Sequence, residues 1–270
     1  MGQNPMSPLD GAAFGHVSPA ALLFLCAAAF LAGAVDAIVG GGGLIQLPAM
    51  IMIMPGGSLI YSLATNKIVG AVGTSAAVCT YARKTTMDWA AIVRMSAATF
   101  PAAVAGASCA SALPAGVLSV VVLVSLVLIV GYTLSKPDLG VADAPRFERR
   151  TQLVVMVLGG AAIGFWDGLG PPGTGSLLVF LLVGLMGYSF LGASATSKVV
   201  NVATNAGALV FFIPAGKVLW GLGLLMAVSN LAGGVTGASL AVRRGTAFVR
   251  RVFIAVVGTL IISVGIKFLV

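Results

Sequence analysis

The chain is built from two similar halves. Residues 33 to about 110 align without a gap with the residues 131 positions further along. The rare residues that coincide in this register are Asp36 with Asp167, Lys67 with Lys198, and Trp89 with Trp220. A chain rich in Ala and Gly matches itself by chance at many positions, but chance does not place three rare residue types in one gapless register. The sequence therefore indicates an internal duplication, and two residues 131 positions apart are called counterparts below.

Each half contains five apolar segments separated by Gly, Pro and charged residues. The segments run at about 18–39, 44–60, 62–82, 89–111 and 115–135, and at about 152–169, 174–190, 193–213, 218–242 and 247–269. Hydrophobic residues make up 59 % of the chain and charged residues 8 %, against roughly 45–50 % and about 25 % in a soluble domain. We predict an all-α polytopic membrane protein with a first transmembrane repeat at 1–135, a basic linker at 136–151 and a second repeat at 152–270.

An odd number of segments per half predicts that the second repeat is inverted relative to the first, as in many secondary transporters. Ten of the fifteen Lys and Arg residues fall in three loops, at 83–84, 136–150 and 243–251. All three loops lie on one side, which the positive-inside rule makes cytoplasmic. We therefore expect an inner (plasma) membrane protein with a cytoplasmic linker and both termini outside. If segments 1 and 2, and likewise 6 and 7, were re-entrant hairpins, the loops would keep their sides, so the number of crossings stays open.

Several function classes lack the residues that they need. The only histidine, His16, precedes the first apolar segment, and the cysteines Cys26, Cys79 and Cys109 have no CxxC spacing. We therefore expect neither an enzyme nor a metal site nor a cofactor. The net charge of +8 is explained by the loops, so nucleic acid is not expected. No Lys or Arg precedes Lys67, so the first apolar segment is expected to be a retained helix and not a signal peptide.

Four ionisable residues that form two counterpart pairs lie inside apolar segments: Asp36, Lys67, Asp167 and Lys198. A charged group at the centre of a membrane helix costs about 2.5–3.5 kcal/mol on insertion scales, so it is expected to face a cavity or a partner. Two interpretations stay open. The four residues form ion pairs that hold the halves together, or they form a polar site on the pseudo-twofold axis near the midplane.

Glycines and prolines follow each of these aspartates, at 40–43 and at 168–175. They predict broken helices at matching positions, which a membrane protein tolerates only where the backbone lines a cavity or packs in protein. The helix that follows each break directs free N–H groups into that cavity and favours an anion. The predicted contributors are Gly42, Gly43, Gly173, Thr174 and Gly175. Residues 170–175 also resemble a nucleotide-binding P-loop, but Ser176 stands where its lysine belongs, so no nucleotide is expected.

Polar residues cluster around the two buried lysines. They are Thr65, Asn66, Lys67 and Thr74 in the first half, and Thr196, Ser197, Lys198, Asn201 and Asn205 in the second. Lys198, Asn201 and Asn205 are spaced to share one helix face. A cation surrounded by amide and hydroxyl donors suits an oxyanion. Hydrogen bonds between helices are the alternative role for the Thr and Asn residues.

Motifs in both halves resemble those of the TauE/SafE permeases. In the first half they are Ala32-Gly33, Asp36-Ala37-Ile38, the glycines 40–43, Leu47-Pro48, Ala64-Thr65-Asn66-Lys67, Gly73-Thr74-Ser75-Ala76, Tyr81 and Asp88-Trp89. In the second half they are Gly164 to Gly168, Gly170, Gly173 to Ser176, Ser197 to Asn201, Asn205 and Trp220. Pro171-Pro172 and Ala64 depart from the pattern, where a single Pro and a Gly are expected. The resemblance implies secondary transport of sulfite, organosulfonates or other small anions.

We therefore expect a permease or exporter in which Lys67, Lys198 and the two helix N-termini hold a sulfite or sulfonate group. Asp36 and Asp167 would take protons, or pair with the lysines when the site is empty. Alternating access would come from movement around this site. An anion channel of the same architecture and a non-transporting membrane component of sulfur metabolism stay open as alternatives. Besides the anion and the lipid bilayer, the small residues 106–108 leave a homodimer open as a partner.

Overall fold

The computed structural model describes residues 17–53, 59–114, 117, 147–170 and 172–269, with only the backbone for 149 and 257–269. These residues form eight α-helices and no strand: α1 (Pro19–Val39), α2 (Gly43–Ile53), α3 (Leu59–Ala82), α4 (Trp89–Ala112), α5 (Arg149–Leu169), α6 (Thr174–Phe180), α7 (Phe190–Phe212) and α8 (Trp220–Leu269). A π-helical turn at Leu181–Leu185 continues α6. His16, the fifth apolar segment except residue 117, and residues 136–146 of the predicted linker lie outside the described residues.

Polar side chains mark where several of these helices begin. Ser18 accepts a hydrogen bond from the Ala21 N–H at 3.2 Å, and Pro19 occupies the first position of α1. Asp88 accepts from the Ala91 N–H at 3.0 Å at the start of α4, and Ser189 accepts at the start of α7. Each oxygen satisfies one of the N–H groups that a helix leaves free at its N-terminus. These local signals fix the helix starts in an otherwise uniformly apolar sequence.

The apolar helices differ in length, and some are long enough to cross a membrane whereas others are too short. Four stretches within the described residues are long and apolar enough to cross a membrane: Pro19–Val39, Trp89–Ala112, Arg150–Leu169 and Trp220–Val256. These stretches agree with the predicted polytopic membrane protein. The described part of α2 has 11 residues and spans about 16 Å at 1.5 Å per residue, roughly half of a hydrocarbon core of about 30 Å. Thr174–Leu185 is similarly short. The described parts of the second and seventh segments therefore do not cross as straight helices.

The helix boundaries repeat with the sequence. α2 and α6 begin at Gly43 and Thr174, and α4 and α8 begin at Trp89 and Trp220, in each case 131 residues apart. The contacts repeat as well, because α1 packs against α8 as its counterpart α5 packs against α4. A methyl group on Gly237 of α8 would overlap the Ala34 carbonyl, and one on Gly106 of α4 would overlap the carbonyl of Phe165, the counterpart of Ala34. Gly106 therefore packs within the chain.

The predicted loop between the ninth and tenth segments is reduced to a break inside α8. Gly245 has φ 71° and ψ −172°, so the helix is interrupted between Arg244 and Thr246. This positive φ is one that residues with a side chain rarely adopt. The break lies among the arginines 243–251 that the sequence assigns to the cytoplasmic side.

Candidate functional site

The two breaks predicted from glycine and proline meet in the structure. α1 ends at Gly40 with φ 85°, and α5 ends at Gly170 with φ 100°. Gly40 lies against Gly175, and a side chain on either residue would overlap the backbone of the other. The following helices, α2 and α6, therefore start beside each other. Glycine is required at this crossing because of both the positive φ and the close backbone approach.

Hydroxyl groups from three other elements complete the end of α1. Tyr81 Oη donates to the Ala37 carbonyl at 2.8 Å, and Ser194 Oγ donates to the Ile38 carbonyl at 2.7 Å. Ser176 Oγ donates to the Val39 carbonyl at 3.1 Å, and its backbone N–H donates to the Gly40 carbonyl at 3.0 Å. The last carbonyls of a helix have no partner within it. These bonds stabilise a helix end where water is scarce.

The four buried charges form two ion pairs that cross between the halves. Lys67 Nζ lies 2.7 Å from Asp167 Oδ1, with 4 % and 5 % of the two side chains exposed. Lys198 Nζ lies 3.3 Å from Asp36 Oδ2, with 0 % and 16 % exposed. Each lysine pairs with the aspartate of the other half. The group is neutral when all four residues are ionised, which reduces the cost of burying them.

The two aspartates differ in their remaining hydrogen bonds. Thr74 Oγ1 donates to Asp36 Oδ2 at 3.1 Å. Asp167 Oδ2 and Thr174 Oγ1 are buried and have no hydrogen-bond partner within the described part of the chain. Buried polar atoms are nearly always hydrogen-bonded. A buried oxygen of Asp167 is therefore available to a proton, water or ligand, whereas Asp36 Oδ2 accepts from both Thr74 and Lys198.

A cavity of about 50 Å³ lies between the ion pairs and the two breaks. Twelve predicted site residues line it: Asp36, Gly42, Gly43, Asn66, Lys67, Thr74, Asp167, Gly173, Thr174, Gly175, Asn201 and Asn205. Its other lining residues are Gly40, Gln46, Gly70, Pro172 and Asn230. Lysine, amide, hydroxyl and backbone groups therefore converge on a volume suited to a compact polar ligand.

Four predicted site residues do not line this cavity. Lys198 lies behind Asp36, with which it pairs. Thr65 Oγ1 accepts a hydrogen bond from the Leu219 N–H at 3.0 Å, and Ser197 Oγ donates to the Ser194 carbonyl at 2.9 Å. Thr196 lines a second cavity. The hydroxyl groups of Thr65 and Ser197 therefore form hydrogen bonds with other groups of the protein.

Sequence reasoning missed two amides of the cavity, Gln46 and Asn230. Asn230 Nδ2 donates to Gln46 Oε1 at 2.9 Å, and Gln46 Nε2 donates to Asn66 Oδ1 at 2.8 Å. The available signal is that each is an isolated amide inside an apolar segment, and burying an unpaired amide is costly. Their counterparts are Leu177 and Thr99, so comparison of the two halves does not reveal them.

The second cavity, of about 530 Å³, lies beside the loop between α3 and α4. It is lined by Thr86, Met87, Asp88, Gln152, Met186, Gly187, Tyr188, Gly192 and Thr196. Tyr188 Oη donates to Asp88 Oδ2 at 3.1 Å and so joins the two halves across it. Thr196 precedes Lys198 by two residues, so this cavity extends to the helix that carries a buried lysine.

Metal binding has no support in the described residues, among which no group of three or more His, Cys, Asp or Glu side chains could hold an ion. The cysteines Cys26, Cys79 and Cys109 are free.

Comparison with known proteins decides the family. Residues 25–264 match the family described as "Sulfite exporter TauE/SafE". The chain belongs to this family. The TauE/SafE protein is 35 % identical over 235 residues to "Probable membrane transporter protein ORF9" of Sinorhizobium sp, covering 87 % of this chain and 88 % of the relative. It is 33 % identical over 240 residues to "Probable membrane transporter protein YfcA" of Escherichia coli K12, covering 89 % and 88 %.

A "Probable membrane transporter protein" of Haemophilus influenzae is 31 % identical over 230 residues, with 85 % and 88 % covered. No solved structure is significantly similar to the chain. The family and its relatives support a multi-pass membrane transporter, and they confirm the resemblance seen in the sequence motifs.

Proposed function

We propose that this TauE/SafE protein is a proton-coupled secondary transporter for a small sulfur-containing anion, such as sulfite or an organosulfonate. The observation that carries the proposal is the pair of crossed Asp–Lys contacts beside a cavity where two broken helices meet. The description of the family supports the choice of anion. The transporter resides in the inner membrane, with its basic linker in the cytoplasm and both termini outside.

The donor set favours an oxyanion. Lys67, Asn66 and Thr174 line the cavity together with the backbone of the two breaks. Charge-assisted hydrogen bonds from such donors are stronger than neutral ones and suit a ligand with several acceptor oxygens. Sulfite and sulfonates present three oxygens in a compact head group. The remaining substituent of a sulfonate would extend beyond this cavity.

Proton coupling follows from charge balance. Two lysines and two aspartates sum to zero, so a monoanion that enters would be an uncompensated charge in a medium of low dielectric constant. A proton on Asp167 removes one negative charge and releases Lys67 to the anion. The unpartnered Asp167 Oδ2 supports this role. Anion and proton then move together in the same direction.

Alternating access is supported by a difference between counterpart contacts. Thr65 accepts the N–H of Leu219, and Lys217 Nζ lies 5.2 Å from the centre of the Tyr61 ring. The counterparts of these four residues are Thr196, Asp88, Thr86 and Gly192, and all four line the 530 Å³ cavity. These four residues are therefore in contact in one place, whereas their four counterparts line a cavity. In an inverted-repeat transporter, exchange of these two arrangements would open the site to the opposite side.

The proposal is tested by anion flux into liposomes that contain purified protein. Saturable, counter-exchanging uptake of sulfite or sulfoacetate is expected, and Lys67→Ala should abolish it, because Lys67 is the lysine that lines the cavity. Lys84→Ala is the matched control, because Lys84 is an exposed loop residue. Normal flux in Lys67→Ala would contradict the lysine assignment. Flux without saturation or exchange would indicate a channel, and binding without flux would indicate a non-transporting component.

A further inference from the structure

Three amide side chains from three helices form a hydrogen-bonded chain at the edge of the cavity. Asn230 of α8 donates to Gln46 of α2 at 2.9 Å, and Gln46 donates to Asn66 of α3 at 2.8 Å. Asn230 also donates to the Ala29 carbonyl of α1 at 2.9 Å. The amide chain therefore starts on a main-chain group and ends at the cavity.

The direction of this chain is fixed by its first member. A main-chain carbonyl can only accept, so the atom of Asn230 that faces Ala29 must be its NH₂ group. The same NH₂ group faces Gln46, which must therefore present its oxygen and turn its own NH₂ toward Asn66. The reversed arrangement would place two donors against each other. The oxygen of Asn66 is thus occupied, and its NH₂ group is left over.

Packing holds Asn230 in this position. A methyl group on Gly73 of α3 would overlap Asn230 Oδ1, and a methyl group on Gly33 of α1 would overlap the Asn230 carbonyl. Two glycines thus provide the space for one amide where three helices meet. The anchor of the chain is buried and has little freedom to rotate, because Asn230 is only 4 % exposed.

The free NH₂ group of Asn66 lies at the start of α2. Asn66 Nδ2 is 3.8 Å from the position that a Cβ atom on Gly43 would take, and both residues line the cavity. A helix N-terminus adds its own free N–H groups at this point. The counterparts of the three amides are Ser197, Leu177 and Thr99, which cannot build the same chain. The duplication therefore does not repeat this hydrogen-bonded amide chain.

We propose that Gln46 and Asn230 are positioning residues that hold the Asn66 NH₂ group toward the cavity, where it donates to an oxygen of the transported anion. The inference rests on the proposed function and deepens it. A head group whose oxygens only accept, such as a sulfonate, fits this donor. A head group that presents a hydrogen-bond donor here faces the Asn66 NH₂ group and is rejected.

The test is a double-mutant cycle on purified protein, with methanesulfonate and sulfite as probes. Gln46→Met keeps the side-chain length and removes the donor to Asn66, and Asn66→Leu removes the last amide. Each single substitution is expected to weaken the Kd about tenfold, the effect of one lost hydrogen bond to a charged group. The double variant should bind no more weakly than Asn66→Leu, because Gln46 acts through Asn66.

Ser75→Ala is the matched control, because within the described residues the Ser75 hydroxyl donates to the Ala71 carbonyl of its own helix and to no other group. It should bind both probes like the wild type. If Gln46→Met does not fold, Gln46→Leu carries the same comparison, since it also removes the donor to Asn66 and adds no charge to the cavity. Unchanged affinity in the Gln46 variant, or losses that add in the double variant, would overturn the proposal. A wild-type protein that binds neither probe would refute the proposed function itself, and the amide role with it.

Discussion

Substitutions in the Lys67–Asp167 ion pair can show whether the pair is needed for folding stability, for transport, or for both. The two charged atoms are 2.7 Å apart, and the side chains are 4 % and 5 % exposed. In Asp167→Asn the new side chain has nearly the same size as the aspartate, but the Lys67 charge is left without its partner. Removing one member of a buried ion pair costs about 3–5 kcal/mol. For a chain of this size we expect the thermal midpoint to fall by roughly 6–20 °C, at about 2–4 °C per kcal/mol.

The double variant Lys67→Met/Asp167→Asn restores neutrality. Its midpoint should return close to that of the wild type, since well-packed neutral replacements of a buried pair are often no less stable. Transport should stay abolished, because the anion has lost its cation and the proton its carboxylate. The assay combines tryptophan-fluorescence melting of the purified protein with anion flux in liposomes.

The pair formed by Lys198 and Asp36 serves as the internal comparison. Its atoms are 3.3 Å apart, Asp36 is 16 % exposed, and Thr74 supplies a further donor. Because Asp36→Asn leaves the charge of Lys198, which is 0 % exposed, without its partner, this substitution should also lower the thermal midpoint. A double variant at Lys67 and Asp167 that transports at the wild-type rate would refute the reasoning. So would a stability loss in that double variant equal to the sum of the two single losses.

Three further predictions concern coupling and access. Thr74→Val removes the hydroxyl donor to Asp36 and should reduce flux about tenfold, whereas Thr80→Val, which loses only a bond within its own helix, should not. In a variant without the three native cysteines, Thr65→Cys and Leu219→Cys would place two thiols where a disulfide can form. This disulfide should preserve anion binding and stop flux until it is reduced. Undiminished flux in the oxidised protein would contradict the alternating-access proposal. Uptake into liposomes should be faster when the outside is more acidic than the inside, and an equal rate after the pH gradient is collapsed would exclude the proton role.

The sequence predicted the four buried charges and left open whether they form ion pairs between the halves or a polar site. Asp36 and Lys67 stand in one half, and nothing in their spacing decides whether each pairs within its half or across it. The crossing arises from tertiary packing, because α1 lies against α8 and α5 lies against α4. The breaks at Gly40 and Gly170 were predictable because glycine and proline act locally on the backbone. Contacts between elements have no such local signature.

The two cavity residues that the sequence missed, Gln46 and Asn230, have Leu177 and Thr99 as their counterparts. Comparison of counterparts finds what the halves share, and the two Asp–Lys pairs are shared. Asn66 has no amide counterpart either, but it was predicted because it stands next to the buried Lys67. A site built only of shared residues would present the same groups to both halves and would not orient an asymmetric anion. Under the proposed function, the shared charges supply the attraction, and the unshared residues give the bound ion its direction.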